Sequence, residues 1–97
     1  MDLKISEFIS WQNFAMQKFK SLKARILYRL LTSEPLNYRL GFIKGGSHRM
    51  LVAKGRKNIT FSWHDNAEIS GRIVKKLLIE RALLTEEEAY KLVHKIK

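Results

Sequence analysis

The chain has no cysteine, a single proline and only nine acidic residues in 97 positions. Without cysteine there are neither disulfides nor thiolate metal sites, so the fold must rest on packing and hydrogen bonds. The same absence fits a reducing cytosol. Three histidines, His48, His64 and His94, stand at wide spacings that form no metal-ligand pattern, and no metal or other cofactor is expected. No apolar run approaches the roughly 20 residues of a membrane span. The opening Met1-Asp2-Leu3-Lys4 lacks the basic and apolar regions of a signal peptide. The expectation is a soluble, cytoplasmic protein without a membrane partner. Its length suits one domain and is too short for two with separate cores.

What the chain does have is positive charge. Lysine and arginine number 19, giving a formal net charge of +10. The excess is concentrated. Residues 22–57 hold Lys23, Arg25, Arg29, Arg39, Lys44, Arg49, Lys54, Arg56 and Lys57 against Glu34 alone, while the segments before and after are each close to balance. A field of this kind attracts a polyanion and speeds encounter with it. A merely solvated surface would not need the charge gathered in one stretch, so a nucleic-acid partner is the better reading.

Apolar residues in the first third recur at helical spacing, with Ile5, Phe8 and Ile9 followed by Met16, Phe19, Leu22, Ile26 and Leu30. This predicts one long helix or two in sequence, with breaks at Ser10 or Ser21 and an end at Ser33-Glu34-Pro35. Trp11, Phe14 and Phe19 exceed what one short helix buries, which points to packing on the domain, self-association or a protein partner. Three strand-like stretches follow: Arg39–Lys44 before the Gly45-Gly46 turn, Ser47–Ala53, and the alternating Ile59–Trp63 after a polar turn. Ser70 is placed to cap a helix with Ile73, Val74, Leu77 and Leu78 on one side. Thr85 and Glu88 form a capping box for a last helix that buries Ala89, Leu92, Val93 and Ile96. The expected fold is α+β, a two-layer sandwich with a three-stranded antiparallel sheet covered by helices on one face. Residues 1–21 form an N-terminal helical extension and residues 22–97 the domain proper.

Five stretches together resemble the HicA family of toxins: Glu34-Pro-Leu-Asn-Tyr-Arg39, Gly45-Gly-Ser-His-Arg49, Ile59-Thr-Phe-Ser-Trp-His-Asp65, Gly71-Arg-Ile-Val-Lys-Lys-Leu-Leu78 and Leu84-Thr-Glu-Glu-Glu-Ala89. The likeness runs from about Lys23 to Val93; residues 1–21 have no counterpart in the compact form of the family. The resemblance implies a fold like the double-stranded-RNA-binding domain. It also implies endoribonuclease activity on messenger RNA, neutralisation by a HicB-type antitoxin, and a catalytic histidine at His48.

The residues themselves allow that chemistry. RNA supplies its own nucleophile, the 2′-hydroxyl, so cleavage needs a base, an acid and positive charge near the phosphorane. An imidazole serves either proton step at neutral pH. His48 follows a glycine pair, where a phosphate can approach closely, and Lys44, Arg49 and Lys57 are the nearest bases in sequence. Lys54 and Arg56 extend the basic set, as do Arg72, Lys75 and Lys76 on the helix after Ser70, although the last three also suit a solvated face with Lys76 paired to Glu80. His48 could instead serve only its turn. His64, beside Asp65, reads as a turn residue or a second acid/base, and Phe61 and Trp63 read as core more than as stacking platforms. His94, near a helix C-terminus, suits a partial positive charge. The rivals to a metal-independent nuclease are a non-catalytic RNA-binding module and an interaction protein whose RNA surface is secondary.

Overall fold

The computed structural model describes residues 18–43, 45 and 48–95. It has the α+β composition expected, with a three-stranded antiparallel sheet and three helices.

The start of the chain departs from the sequence reading. Residues 18–21 have no regular structure, and Leu22–Lys23 (β1) is extended, pairing antiparallel with Glu68–Ile69 (β5). The helical spacing of Phe19, Leu22 and Ile26 is misleading here, because the backbone of β1 takes its hydrogen bonds from a distant strand. The first helix among the described residues, Ala24–Thr32 (α1), therefore begins only at Ala24. It has no side-chain cap; Ala24 N–H donates to Ala67 O at 2.8 Å and Arg25 N–H to Asp65 O at 3.1 Å. Its end is as predicted. The Thr32 and Ser33 hydroxyls donate back to Tyr28 O and Arg29 O at 2.9 and 2.6 Å, and Pro35 follows. Trp11, Phe14 and residues 1–17 of the expected 1–21 extension lie outside the described residues.

The strands Arg39–Ile43 (β2), Arg49–Val52 (β3) and Ile59–Phe61 (β4) form the meander β2-β3-β4. Leu51, Ile59 and Phe61 are buried on one face, while Thr60 between the last two is exposed, the alternation a half-covered sheet requires. That buried face joins Leu27 and Leu31 of α1, Val74 and Leu78, and Ala89 and Val93 in one core. Phe61 stands edge-on to Tyr28 and Trp63 at 5.2 and 5.1 Å, so both aromatics of the last strand region belong to the core side. Strand β2 is exposed throughout, including Leu40, Phe42 and Ile43. A bulge falls between Leu40 and Phe42, at Gly41, where a Cβ would meet Val52 Cγ1 at 3.0 Å.

Ser70 caps Gly71–Lys76 (α2) as expected, accepting from Ile73 N–H at 3.4 Å. The helix then widens into a π-helical stretch, Leu77–Arg81. Val74 and Leu78 are fully buried and Leu77 packs against the core, but Ile73, expected in the same stripe, is 40% exposed. Leu84 N–H donates to Leu78 O at 3.0 Å to close the end, with Leu83 in the left-handed region at φ 63°. The last helix, Glu86–His94 (α3), has the predicted capping box: Glu88 N–H donates to Thr85 Oγ1 at 3.1 Å and Thr85 N–H to Glu88 Oε1 at 2.9 Å. The Thr85 backbone N–H, and after it the Thr85 hydroxyl, hold the Glu88 carboxyl below its ordinary pKa. Ala89 and Val93 are buried and Leu92 packs against them, whereas Ile96 lies outside the described residues.

Phe19, which the sequence placed in the extension, is part of the core at 8% exposure. Its ring meets Tyr90 and His94 of α3 edge-on, at 5.5 and 6.2 Å. Its backbone lies directly on α2, so close that a Cβ at Gly71 would stand 1.7 Å from Phe19 O. Glycine at 71 is thus a packing requirement. Among the described residues no helix is long and apolar enough to cross a membrane.

Candidate nucleic-acid interface

His48 enters β3 from the β2–β3 turn. Gly45 there has φ 65°, a conformation glycine adopts without strain, and its carbonyl accepts from His48 N–H at 3.1 Å. The backbone of His48 thus closes the turn while its side chain is exposed. Lys44, Gly46 and Ser47 lie outside the described residues. The next residue, Arg49, belongs to the covered face: its guanidinium sits 5.3 Å from the centroid of the Tyr28 ring on α1. Strand pleating then directs His48 to the opposite, open face, and the two sequence neighbours do not converge. Continuing the β3–β4 register sets His48 across from Ser62, two residues before His64. His64 is exposed, and its carbonyl accepts from Ala67 N–H at 2.9 Å in the turn that also caps α1.

The remaining bases divide into free and engaged groups. Arg56 is half-buried and donates from Nη1 to Ala82 O, tying the β3–β4 turn to the end of the π-helical stretch. Lys75 faces inward, 3.7 Å from Glu86 Oε2 on α3 and 5.7 Å from the Phe19 ring centroid. It is Lys75, not Lys76, that carries the ion pair of this helix. Arg72, Lys76, Lys54 and Lys57 are exposed. Arg81, not among the expected site residues, clamps Asn58 O with Nε and Nη2 at 2.8 and 2.6 Å.

His94 also differs from expectation. Its Nε2 accepts from Lys20 N–H at 3.4 Å, and the ring stacks on Tyr90 at 4.0 Å. Burial first, and the nearby Lys20 charge second, hold its pKa below the ordinary histidine value. The imidazole is a neutral acceptor that fastens the N-terminal segment, where the sequence position implied a cation at a helix end.

One grouping was missed in the sequence. At the end of β3 away from His48, a groove of about 720 Å³ is lined by Asn37, Arg39, Val52, Lys54 and Arg56, among others, and by no acidic residue. Arg39 was counted in the charge excess but not as a site residue; only the β2–β3 register, which pairs Arg39 with Val52, brings it beside the Lys54 turn. Tyr38 OH, which donates to Lys57 O at 2.7 Å and Arg81 O at 3.3 Å, supports this end of the sheet. Its burial raises the phenol pKa against the opposing pull of Arg56 and Arg81. Among the described residues no group of three His, Asp or Glu side chains could hold a metal ion. Comparison of the chain with protein-family models, with curated proteins and with solved structures gave no match, so the chemistry of this surface is read from its own residues.

Proposed function

We propose that the chain is a metal-independent endoribonuclease of the HicA type, the toxin of a toxin–antitoxin pair that cuts messenger RNA in the cytoplasm. Its fold is taken as like the double-stranded-RNA-binding domain, and its protein partner as a HicB-type antitoxin. The observation that carries this reading is His48: an exposed imidazole at the mouth of a hairpin, within the segment 22–57 that holds most of the chain's excess charge. In the proposed step the substrate 2′-oxygen forms a bond to phosphorus and the bond from phosphorus to the 5′-oxygen breaks, leaving a 2′,3′-cyclic phosphate and a 5′-hydroxyl. His48 takes the 2′ proton or supplies the 5′ proton, water serves the other transfer, and Lys44, Lys54, Lys57, Arg72 and Lys76 attract the strand. Arg49, Arg56 and Lys75 act on it through whatever donors their protein contacts leave. His64 is a turn residue in this scheme.

A second reading, a non-catalytic RNA-binding module, draws on one specific observation. No hydrogen bond from a described residue orients the His48 imidazole, and general acid–base catalysis is most effective when the base is held by a partner. The test is cleavage of labelled RNA in EDTA by the wild type and by His48→Ala, with binding followed in parallel. Wild-type cleavage lost in His48→Ala with binding retained supports the nuclease. Salt-dependent binding without cleavage by either protein selects the module, and absence of RNA binding defeats both.

A further inference from the structure

We propose that the groove lined by Asn37, Arg39, Lys54 and Arg56 is a phosphate-binding subsite that grips single-stranded RNA away from His48. The proposal rests on the RNA-binding reading above and assigns a second point of contact to it.

The first support is charge. Three bases line the groove without an acid, whereas two smaller clefts among the described residues, of about 310 and 290 Å³, each include a glutamate, Glu88 and Glu34 respectively. Among the described residues no acidic side chain pairs with Arg39 or Lys54, and both are exposed. Arg56 uses Nη1 on Ala82 O, and a guanidinium has five N–H donors, so most remain for an anion.

The second support is rigidity. A merely solvated turn has no need of fixation, yet the one carrying Lys54 and Arg56 is fastened from several sides. Arg56 N–H donates to Ala53 O at 3.2 Å and Lys57 N–H to Arg81 O at 2.8 Å. Tyr38 holds Lys57 O, and Arg81 holds Asn58 O through two N–H groups. On the other wall, Asn37 sits in the left-handed region at φ 54°, with its N–H on Ser33 O at 2.9 Å, and Tyr38 N–H is on Leu31 O at 2.8 Å. A backbone fixed before the ligand arrives leaves only the side chains to order on binding, which lowers the cost of binding at a subsite.

The third support is placement. The groove opens beside Val52 on the face that β3 also presents at His48, and from His48 to Ala53 an extended strand advances about 16 Å. An RNA strand lying along β3 reaches both points at once. A phosphate in the groove would fix the register of the strand relative to the imidazole. Its volume accommodates a nucleotide unit, since small-molecule sites span about 300–1,000 Å³.

The test is fluorescence anisotropy with the full chain and a ladder of labelled single-stranded RNAs of increasing length. The proteins are wild type, Arg39→Gln/Lys54→Gln, and a charge-matched control, Lys91→Gln/Lys95→Gln, on α3 and at its C-terminal end. Wild-type affinity should step upward at the length that first spans groove and hairpin. The groove variant should lose that step, and its salt slope on long RNA should fall by about 1.4, because each phosphate-contacting base contributes about 0.7 on a single strand. The control should keep both. A step that persists in the groove variant, or that the control loses equally, overturns the proposal. If the wild type binds no RNA, the RNA reading has failed. Pyrophosphate titration followed at the Asn37 and Ala53 amides then decides the groove by itself. Perturbation there reassigns it to free phosphate compounds, and silence removes it as a site; either result overturns the proposal as stated.

Discussion

Gly71→Ala sets two effects of opposite sign against each other. Helix propensity alone favours alanine by up to about 1 kcal/mol. Geometry opposes it: the new Cβ would lie 1.7 Å from Phe19 O, 2.6 Å from Phe19 C and 3.3 Å from Lys20 C. These are backbone atoms, which cannot rotate aside, so the segment over residues 19–20 must lift off α2. With it goes the Phe19 ring, now edge-on to Tyr90 and His94, and the bond from Lys20 N–H to His94. Burying a phenylalanine side chain contributes about 1.5–3 kcal/mol, and an aromatic pair adds about 0.5–1.5 kcal/mol. The net expectation is a loss of about 1–3 kcal/mol, or a fall of about 1 M in the urea midpoint at ordinary m-values. Urea unfolding followed by tryptophan fluorescence measures it. Phe19→Ala supplies the internal control, because once the ring is gone the segment can move at little cost and Gly71→Ala should become neutral or stabilising. A higher midpoint for Gly71→Ala, or the same loss in both backgrounds, would refute the packing argument.

Three further expectations follow from individual contacts. Because the folded pKa of His94 is depressed, the unfolded chain takes up that proton first; stability from this contact is full above about pH 6.5 and is lost as pH falls through the lower folded value. Urea midpoints measured across that window should decline on acidification in the wild type and decline less in His94→Gln; equal slopes would count against the latch. Leu83 holds φ 63° at a cost of about 1–2 kcal/mol for an L residue, and its side chain is 51% exposed. Thermal stability should therefore rank Leu83→Asn at or above the wild type and Leu83→Val about 1 kcal/mol below it, since a branched Cβ suits that backbone worst; the reverse order would show that side-chain burial, not backbone strain, governs the position. Tyr38→Phe removes the bond to Lys57 O and should cost about 1 kcal/mol, with faster hydrogen exchange at Lys57; unchanged exchange would mean the phenol does not hold that turn.

Local chemistry was legible where a residue acts on its own neighbourhood. The Thr85–Glu88 box, the Ser70 cap and the stop at Ser33 are short-range patterns, and all three occur where the residues placed them. The β4 alternation of Ile59, Thr60 and Phe61 was equally direct. Failures arose where a distant partner overrode a local pattern. Phe19, Leu22 and Ile26 keep helical spacing, but pairing with Glu68–Ile69 makes Leu22–Lys23 extended. Ile73 fits a regular stripe but is exposed, and the widening at Leu77–Arg81 sits beside long-range bonds of Arg81 and Arg56 that no nearby residue announces. The candidate site divides in the same way. His48 and its turn were visible as a string, whereas the groove needed the β2–β3 register to place Arg39, and the inward engagement of Arg49 and Lys75 needed Tyr28 and Phe19.

The seating of Phe19 has a consequence for synthesis. The groups that hold it, Gly71, Tyr90 and His94, all lie in the last third of the chain, and β1 has no partner until Glu68 and Ile69 exist. A growing chain can build the hairpins of the meander early, but Phe19, the first buried residue among those described, waits for α3. The core thus closes only after α3 has been made, and a product truncated before α3 would leave an apolar residue and a basic surface without the frame that organises them.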